Sequence, residues 1–290
     1  MKGYSSSCLI KIGVAFTIAF FICLTNSACT QDVIETGYED NIDYIAKDYL
    51  YEDSVIVVAH WNIGHFSKGK APNTTISPQE TDSLAALYKT YLNQAGANIM
   101  GICEYNSTFS IKGENTAGLL FSNFPYKYIG RQYSYNCNSI FSHLPLHNCH
   151  YVHFPICIQR RYYTVSDVVI CGTIVKFVET HLDFNQGSYG NDYRLSQMQE
   201  LVEAFKDSPH VIICADFNSS IREEYDAFRY AGFSFATDSL PNAGYTSSNT
   251  TKIMIDNILV KGFEIKETKV FPHMSLSDHD MICSKLLLKD

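Results

Sequence analysis

Polar residues that could do chemistry together close or open apolar runs at six places in the chain: Asn62, Glu104, His181, Asp216 with Asn218, Asp256, and Asp278 with His279. Glu104, Asp216, Asp278, Asn62 and Asn218 offer hard oxygen donors. Such a set suits Mg²⁺, Mn²⁺ or Ca²⁺ better than zinc or copper. His181 and His279 add two imidazoles beside acidic neighbours. A carboxylate on one ring nitrogen fixes the tautomer and raises the basicity of the other. An oxygen-ligated cation with a His–Asp pair suits hydrolysis of a phosphoester, because the cation neutralises phosphate oxygens while the pair activates or orients water.

The elements that must hold these groups are mostly strands. Runs rich in Val, Ile and aromatic residues occur at 54–63, 98–105, 138–144, 167–182, 210–217, 253–260 and 280–288. Helical periodicity appears at 80–95 and 193–206, with a third helix expected over 222–231. No repeat or low-complexity stretch divides the chain, so one domain is expected from residue 53 to the end. Polar groups at strand ends are where a rigid scaffold presents functional side chains.

The order of the pieces resembles the endonuclease/exonuclease/phosphatase superfamily, also called DNase I-like. The resembling segments are Trp61-Asn62-Ile63, the run ending at Glu104, Thr180-His181-Leu182-Asp183, Ala215-Asp216-Phe217-Asn218, Ile255-Asp256-Asn257-Ile258 and Ser277-Asp278-His279. They extend over nearly all of Val55–Leu288. The resemblance implies an α+β fold, a four-layer α/β/β/α sandwich with two packed, mostly antiparallel β-sheets flanked by helices. It implies Glu104 as the main metal ligand, assisted by Asn62 and Asp278. Asp216 and Asn218 would position or activate water and phosphate, and His181 would contact the scissile phosphate or act as general acid. His279, oriented by Asp256, would be the second acid/base group or a phosphate ligand. Ser139–Pro145 resembles the family's S-R-x-P segment with His143 in place of Arg, which puts one substrate-side contact in doubt.

The N-terminal segment reads as an address. Residues 1–28 hold Lys2 and Lys11, no acid, and an apolar run from Ile12 to Leu24. That run is short for a permanent span, which needs about 20 apolar residues, and fits a secretory signal. Ser27-Ala28-Cys29 resembles the end of a bacterial lipobox, with Asn26 where leucine is usual. Lipidation of Cys29 and a membrane-anchored product are expected; plain cleavage after Ala28 and secretion are the alternative. Residues 29–52 read as an acidic tether and 53–290 as the catalytic domain. Loss of two lysines takes the formal charge from −8 to −10, which disfavours tight binding of nucleic acid through overall charge.

Of ten cysteines, seven follow Cys29. Cys103, Cys171, Cys214 and Cys283 fall in runs that read as buried strands. One disulfide is allowed among Cys137, Cys149 and Cys157, and no C-x-x-C points to zinc. The histidines from 143 to 153 read as loop or strand surface. Gly64–Lys70 matches G-x-x-x-x-G-K, but Ala71 follows where a P-loop needs Ser or Thr, so it is set aside. Arg131, Arg160 and Arg161 are the basic candidates for substrate contact; Tyr133, Tyr135, Tyr162 and Tyr163 suit strand packing or an aromatic wall.

Two classes of function follow. The first is an exported Mg²⁺- or Mn²⁺-dependent phosphoester hydrolase, leaning to a nuclease or phosphodiesterase, with a phosphatase or phospholipid phosphodiesterase (inositol-phosphate or sphingomyelin type) as the alternative. Its substrate would be a nucleic acid, a phospholipid head group or a sugar phosphate; no protein partner is implied and a monomer is expected. The second is a surface binding protein that keeps the fold without catalysis, which the full set of metal and acid/base residues disfavours.

Overall fold

The computed structural model describes residues 53–289 apart from 68–77, 112, 134–136, 159, 185–187, 241–245, 247–252 and 274. The expected signal, Cys29 and the acidic tether lie outside the described residues. Among the described residues no helix is long and apolar enough to cross a membrane.

The strands are β1 (Val55–Asn62), β2 (Ile99–Cys103), β3 (Ser110–Ile111), β4 (Glu114–Asn115), β5 (Tyr126–Ile129), β6 (Ser139–Ser142), β7 (His147–His153), β8 (Tyr162–Ile170), β9 (Thr173–His181), β10 (Val211–Asp216), β11 (Ser234–Phe235), β12 (Asp256–Lys261), β13 (Phe263–Phe271) and β14 (Met281–Leu288). The helices are α1 (Pro78–Gln94), α2 (Thr116–Leu120), α3 (Ser188–Phe205) and α4 (Asp226–Tyr230). One six-stranded sheet runs β13-β14-β1-β2-β6-β5, and a second runs β11-β12-β10-β9-β8-β7. Each contains one parallel pair, β1 with β2 and β9 with β10, and is otherwise antiparallel.

Three apolar interfaces separate four layers. The first packs Trp61, Met100, Ile102 and Phe141 of the first sheet against Tyr88 and Tyr91 of α1. The second lies between the sheets and holds Val58, Ile99, Phe177, Ile212, Ile258 and Ile282. The third packs Val178 and Ile213 against Met198 and Leu201 of α3 and Phe228 of α4. This is the α/β/β/α sandwich expected from the sequence.

Three details differ from the expectation. The run at 167–182 is not one strand: β8 and β9 form a hairpin that turns at Cys171-Gly172, both with positive φ, and Cys171 is exposed rather than buried. A turn there lets an apolar run pair with itself. The helix over 222–231 is a 3-10 turn, Arg222–Tyr225, leading into the short α4. His143 packs beside Phe124. It follows Ser142, which pairs with Ile99 at the start of β2, so it lies at the opposite end of that strand from Glu104. It is therefore not a substrate-side group.

Cys103, Cys137, Cys157, Cys214 and Cys283 are free thiols. Cys137 is buried with its thiol directed to the Gly130 carbonyl, so no disulfide joins it to Cys149 or Cys157. His147, His150 and His153 fall on β7, the edge strand of the second sheet.

Candidate active site

The site follows from the period-2 alternation of strands that face each other across the inner layer. On β1, Ile56 and Val58 point between the sheets, and the next residues of that parity are His60 and Asn62. On β9, Val175 and Phe177 are followed by Glu179 and His181. On β10, Ile212 and Cys214 are followed by Asp216; on β12, Asp256 precedes Ile258 and Val260. The inner layer is thus apolar through its middle and polar at one end. Register completes the arrangement: Asp216 lies opposite His181 on one side and opposite Asp256 on the other.

All the polar residues singled out in the sequence converge at this end. Asn62 Nδ2 donates to Asp216 Oδ2 across 3.0 Å, from one sheet to the other. His279 Nδ1 meets Asp256 Oδ2 at 2.8 Å, and its Nε2 faces Asp216 Oδ2 at 3.7 Å. The Trp61 indole donates to the His279 carbonyl at 2.9 Å. The Ser277 hydroxyl donates to the Asn62 carbonyl and accepts from the His279 backbone N–H. These bonds fix the loop that carries Asp278 and His279 to the end of β1. Asn62, His181, Asp216, Asp256 and His279 are buried, whereas Glu104, Asn218 and Asp278 are half-buried around them.

His181 has a defined tautomer. Asn218 Nδ2 donates both to the Leu182 carbonyl and to His181 Nε2, each at 2.9 Å. The carbonyl can only accept, so the amide presents its NH₂ and His181 Nε2 is an acceptor. The ring proton then sits on Nδ1, which has no hydrogen-bond partner among the described residues and faces Glu104 Oε1 at 3.6 Å. Burial, and then the nearby Arg161 charge, hold the imidazole well below its ordinary pKa, so the ring is neutral. Asn218 also donates its backbone N–H to Asp216 Oδ1 at 2.9 Å.

Glu104 pairs with His65 Nε2 at 2.7 Å. Burial opposes its charge, but the His65 bond and the fields of His65 and His279 outweigh it and hold the carboxyl well below the usual range. Asp216 goes the other way, pushed up to about 6 by burial and by the field of Asp256. For Asp256, burial is outweighed by His279 and His60, so it stays ionised. His279 stands well above its ordinary value because Asp256 and Asp216 together overcome burial. Glu104, Asn218 and His65 all have φ between 52° and 56°, a left-handed conformation costly for non-glycine residues and characteristic of functional sites.

Three site residues were not singled out in the sequence: His65, which pairs with Glu104, and His60 and Glu179. His60 lies between Glu179 Oε2 and Asp256 Oδ1, at 3.1 Å from each. The signal was available in the alternation, since His60 precedes Asn62 by two residues and Glu179 precedes His181 by two. Asp183 of the Thr180–Asp183 segment is a brace: it accepts from Ile158 N–H and Gln197 Nε2 and faces Arg161. Tyr162 and Tyr163 are buried in strand packing, and Tyr135 lies outside the described residues. Tyr133 is half-buried, with the exposed Arg131 and Arg160 guanidinium groups 5.1 and 5.9 Å from its ring centroid. That rim follows β5 and precedes β8, beside the Glu104 and His181 end.

The donor set fits a hard divalent cation. Glu104, Asp216, Asp256 and Asp278 bring four carboxylates to one mouth, and Asp216 is already pushed toward its neutral form by burial and by the like charge of Asp256. A site in that state gains by holding positive charge. Ligating atoms of Asp216, Asp256 and His279 lie within 4.8 Å of one another, as do those of His60, Cys103 and Glu179. The second trio is fully buried. Both His60 nitrogens are taken by carboxylates, and burial keeps the Cys103 thiol protonated.

A family model described as "Endonuclease/Exonuclease/phosphatase family" matches residues 59–279. No curated protein matches the chain in sequence. Among solved structures, the chain is similar to an endonuclease/exonuclease/phosphatase family protein from Bacteroides thetaiotaomicron at 16% identity and TM-score 0.63, covering 83% of this chain and 97% of that one. The endonuclease/exonuclease/phosphatase from Bacteroides vulgatus gives 14% identity and TM-score 0.63, with 81% and 99% covered. TDP2 from D. rerio, complexed with single-strand DNA product, gives 14% identity and TM-score 0.66, with 81% and 99% covered.

Proposed function

The chain belongs to the endonuclease/exonuclease/phosphatase family, and from that premise we propose that it is an exported, Mg²⁺- or Mn²⁺-dependent phosphodiesterase acting on nucleic-acid-type substrates. The observation that carries this reading is the convergence of Asn62, Glu104, His181, Asp216, Asn218, Asp256, Asp278 and His279 at one end of the sandwich, with His279 bonded to Asp256. A divalent cation held at Glu104, with Asn62 and Asp278, neutralises phosphate oxygens when bound. Ca²⁺ would fit the same oxygen donors.

The remaining roles belong to the chain's own groups. His181 presents its Nδ1–H to a phosphate oxygen, with the tautomer set by Asn218. Asp216, raised toward neutrality, accepts a proton from attacking water, and Asn218, whose amide protons are committed to Leu182 and His181, orients that water through its Oδ1. His279, oriented by Asp256, offers its Nε2–H to phosphate or leaving oxygen. The exposed Arg131 and Arg160 over Tyr133 supply cations and an aromatic face for a diester bearing a base or sugar. The DNA product carried by the TDP2 neighbour supports a nucleic-acid strand as that diester.

We propose further that residues 1–28 are removed, that Cys29 is lipidated, and that residues 29–52 tether a monomeric catalytic domain to a membrane. Such an anchor favours phospholipid diesters as the second substrate class. The test is hydrolysis of DNA, RNA, phospholipid and sugar phosphate by the full chain with Mg²⁺ or Mn²⁺, with EDTA as control. Metal-dependent cleavage of a nucleic-acid strand is expected. Cleavage confined to phospholipid or monoester moves the substrate class. No cleavage, together with no heat of Mg²⁺, Mn²⁺ or Ca²⁺ binding, returns the chain to a non-catalytic binding role. An unmodified N-terminus on native protein by mass spectrometry would overturn the lipid anchor.

A further inference from the structure

Beneath the site, the polar face continues one step deeper than hydrolysis by the residues above requires. Glu179 Oε2 meets His60 Nδ1 at 3.1 Å, His60 Nε2 meets Asp256 Oδ1 at 3.1 Å, and Asp256 Oδ2 meets His279 Nδ1 at 2.8 Å. His60 and Glu179 are wholly inaccessible. The strand positions one step further in are Val58 and Phe177, and apolar residues of similar volume would fill the His60–Glu179 space without desolvating charge.

We propose that His60 and Glu179 are positioning residues for the reaction proposed above, holding Asp256 so that one of its carboxylate oxygens is tied down and the other is aimed at His279. A carboxylate bonded by one oxygen only can turn about its last torsion. With Oδ1 held on β1 and Oδ2 on His279, Asp256 has a single orientation, and so has the imidazole it carries. Glu179 serves the same purpose one bond further back, by fixing the plane of the His60 ring.

Other strands are adapted to this chain of contacts. Gly101 on β2 faces Glu179, and a Cβ there would lie 1.9 Å from Glu179 Oε2 and 2.9 Å from its carboxyl carbon. The absence of a side chain at residue 101 is what makes room for the carboxylate. Each ring nitrogen of His60 thus has a carboxyl oxygen as its partner, and with both carboxyls ionised the ring donates to both.

This inference rests on the hydrolase reading, and the experiment separates the two. First, the full chain is assayed on bis(4-nitrophenyl) phosphate with Mn²⁺. Absence of turnover by the unaltered protein counts against the diesterase reading alone and leaves the positioning proposal to the spectra below. Second, kcat and KM are measured for His60→Gln, Glu179→Ala and Glu179→Gln. His60→Gln and Glu179→Ala are expected to lower kcat by about 10- to 100-fold, as loss of an outer orienting group commonly does, with KM nearly unchanged. Glu179→Gln, whose amide oxygen still accepts from His60, should recover most of the loss. In a His279→Ala background, His60→Gln should cost almost nothing further, because it acts through His279. Equal losses in both backgrounds, or failure of Glu179→Gln to exceed Glu179→Ala, would overturn the proposal. Third, imidazole ¹⁵N–¹H spectra of the unaltered protein keep the idea testable if variants do not fold: the His60 ring is expected to keep a slowly exchanging N–H toward Asp256, and fast exchange at both of its nitrogens would refute the tie.

Discussion

The Asn62 amide on β1 donates to the Asp216 carboxylate on β10 across 3.0 Å, and so fastens one sheet to the other at the floor of the site. Asn62→Ala leaves Asp216 Oδ2 buried without that donor. It should destabilise the protein by roughly 1–3 kcal/mol, the usual consequence of an unsatisfied buried polar group. Urea unfolding in EDTA measures this. An unchanged midpoint would mean that the bond does not hold the sheets.

His181 and Asp216 are proposed to act on phosphate and water directly. His181→Ala and Asp216→Ala should each lower kcat by about 10²–10⁴-fold, the usual loss for a missing acid/base group. EDTA should abolish turnover by the unaltered protein. Full activity in both variants would remove them from the reaction.

Removing the surface cations at the rim should read out differently. Arg131→Gln and Arg160→Gln should each raise KM for a diester roughly two- to fivefold, the scale of an exposed ion pair, and leave kcat alone. The effect should fade with added salt. A fall in kcat at constant KM would contradict their place at the rim.

Stability should vary with pH on both sides of neutrality. The His60 pKa is raised to about 10, because Glu179 and Asp256 outweigh burial. Its contribution is complete below its ordinary value of 6.5 and is lost as pH rises through about 10. Glu179, raised to about 7 by burial, loses its contribution on the same side. Glu104 and Asp256 are lowered, so their contribution is present above their ordinary values of 4.5 and 3.8 and disappears as pH falls. Calorimetric Tm of the metal-free protein should therefore peak at mildly acidic pH. His60→Gln should flatten the alkaline fall; an equally steep fall would contradict the assignment.

Gly101→Ala places a methyl group against Glu179 Oε2, which is held by His60 and cannot swing away. A loss of about 1–3 kcal/mol is expected, as for overpacking in a core. Combined with Glu179→Ala, the same change should cost much less. Denaturant melts of the two singles and the double measure this; additive losses would place the clash elsewhere.

Much of the molecule was legible in the residues. Apolar runs located β1, β2, β6, β10, β12 and β14 within a few residues, and the polar groups at their ends gave every proposed ligand and acid/base group. The edge strands were less visible. β7, with its three histidines, and β13, with alternating charges, bury little, so their composition carries a weak apolar signal. The turn at Cys171-Gly172 was hidden because an apolar run with one glycine reads the same whether it continues or folds back.

By itself, the sequence determined which faces of the strands are polar and at which end, because side-chain parity along a strand is a local property. It determined the inventory of oxygen donors and imidazoles by the same means. Only the tertiary structure decided who meets whom. Asn62 and Asp216 are 154 residues apart, and His60 and Asp256 are 196 apart. Their pairing depends on the register of two sheets stacked face to face, which no spacing within a strand encodes. Burial then turned a list of polar residues into a site. Between the sheets an unpartnered charge is costly, so His60, a residue without distinction in the sequence, became the tie between Glu179 and Asp256.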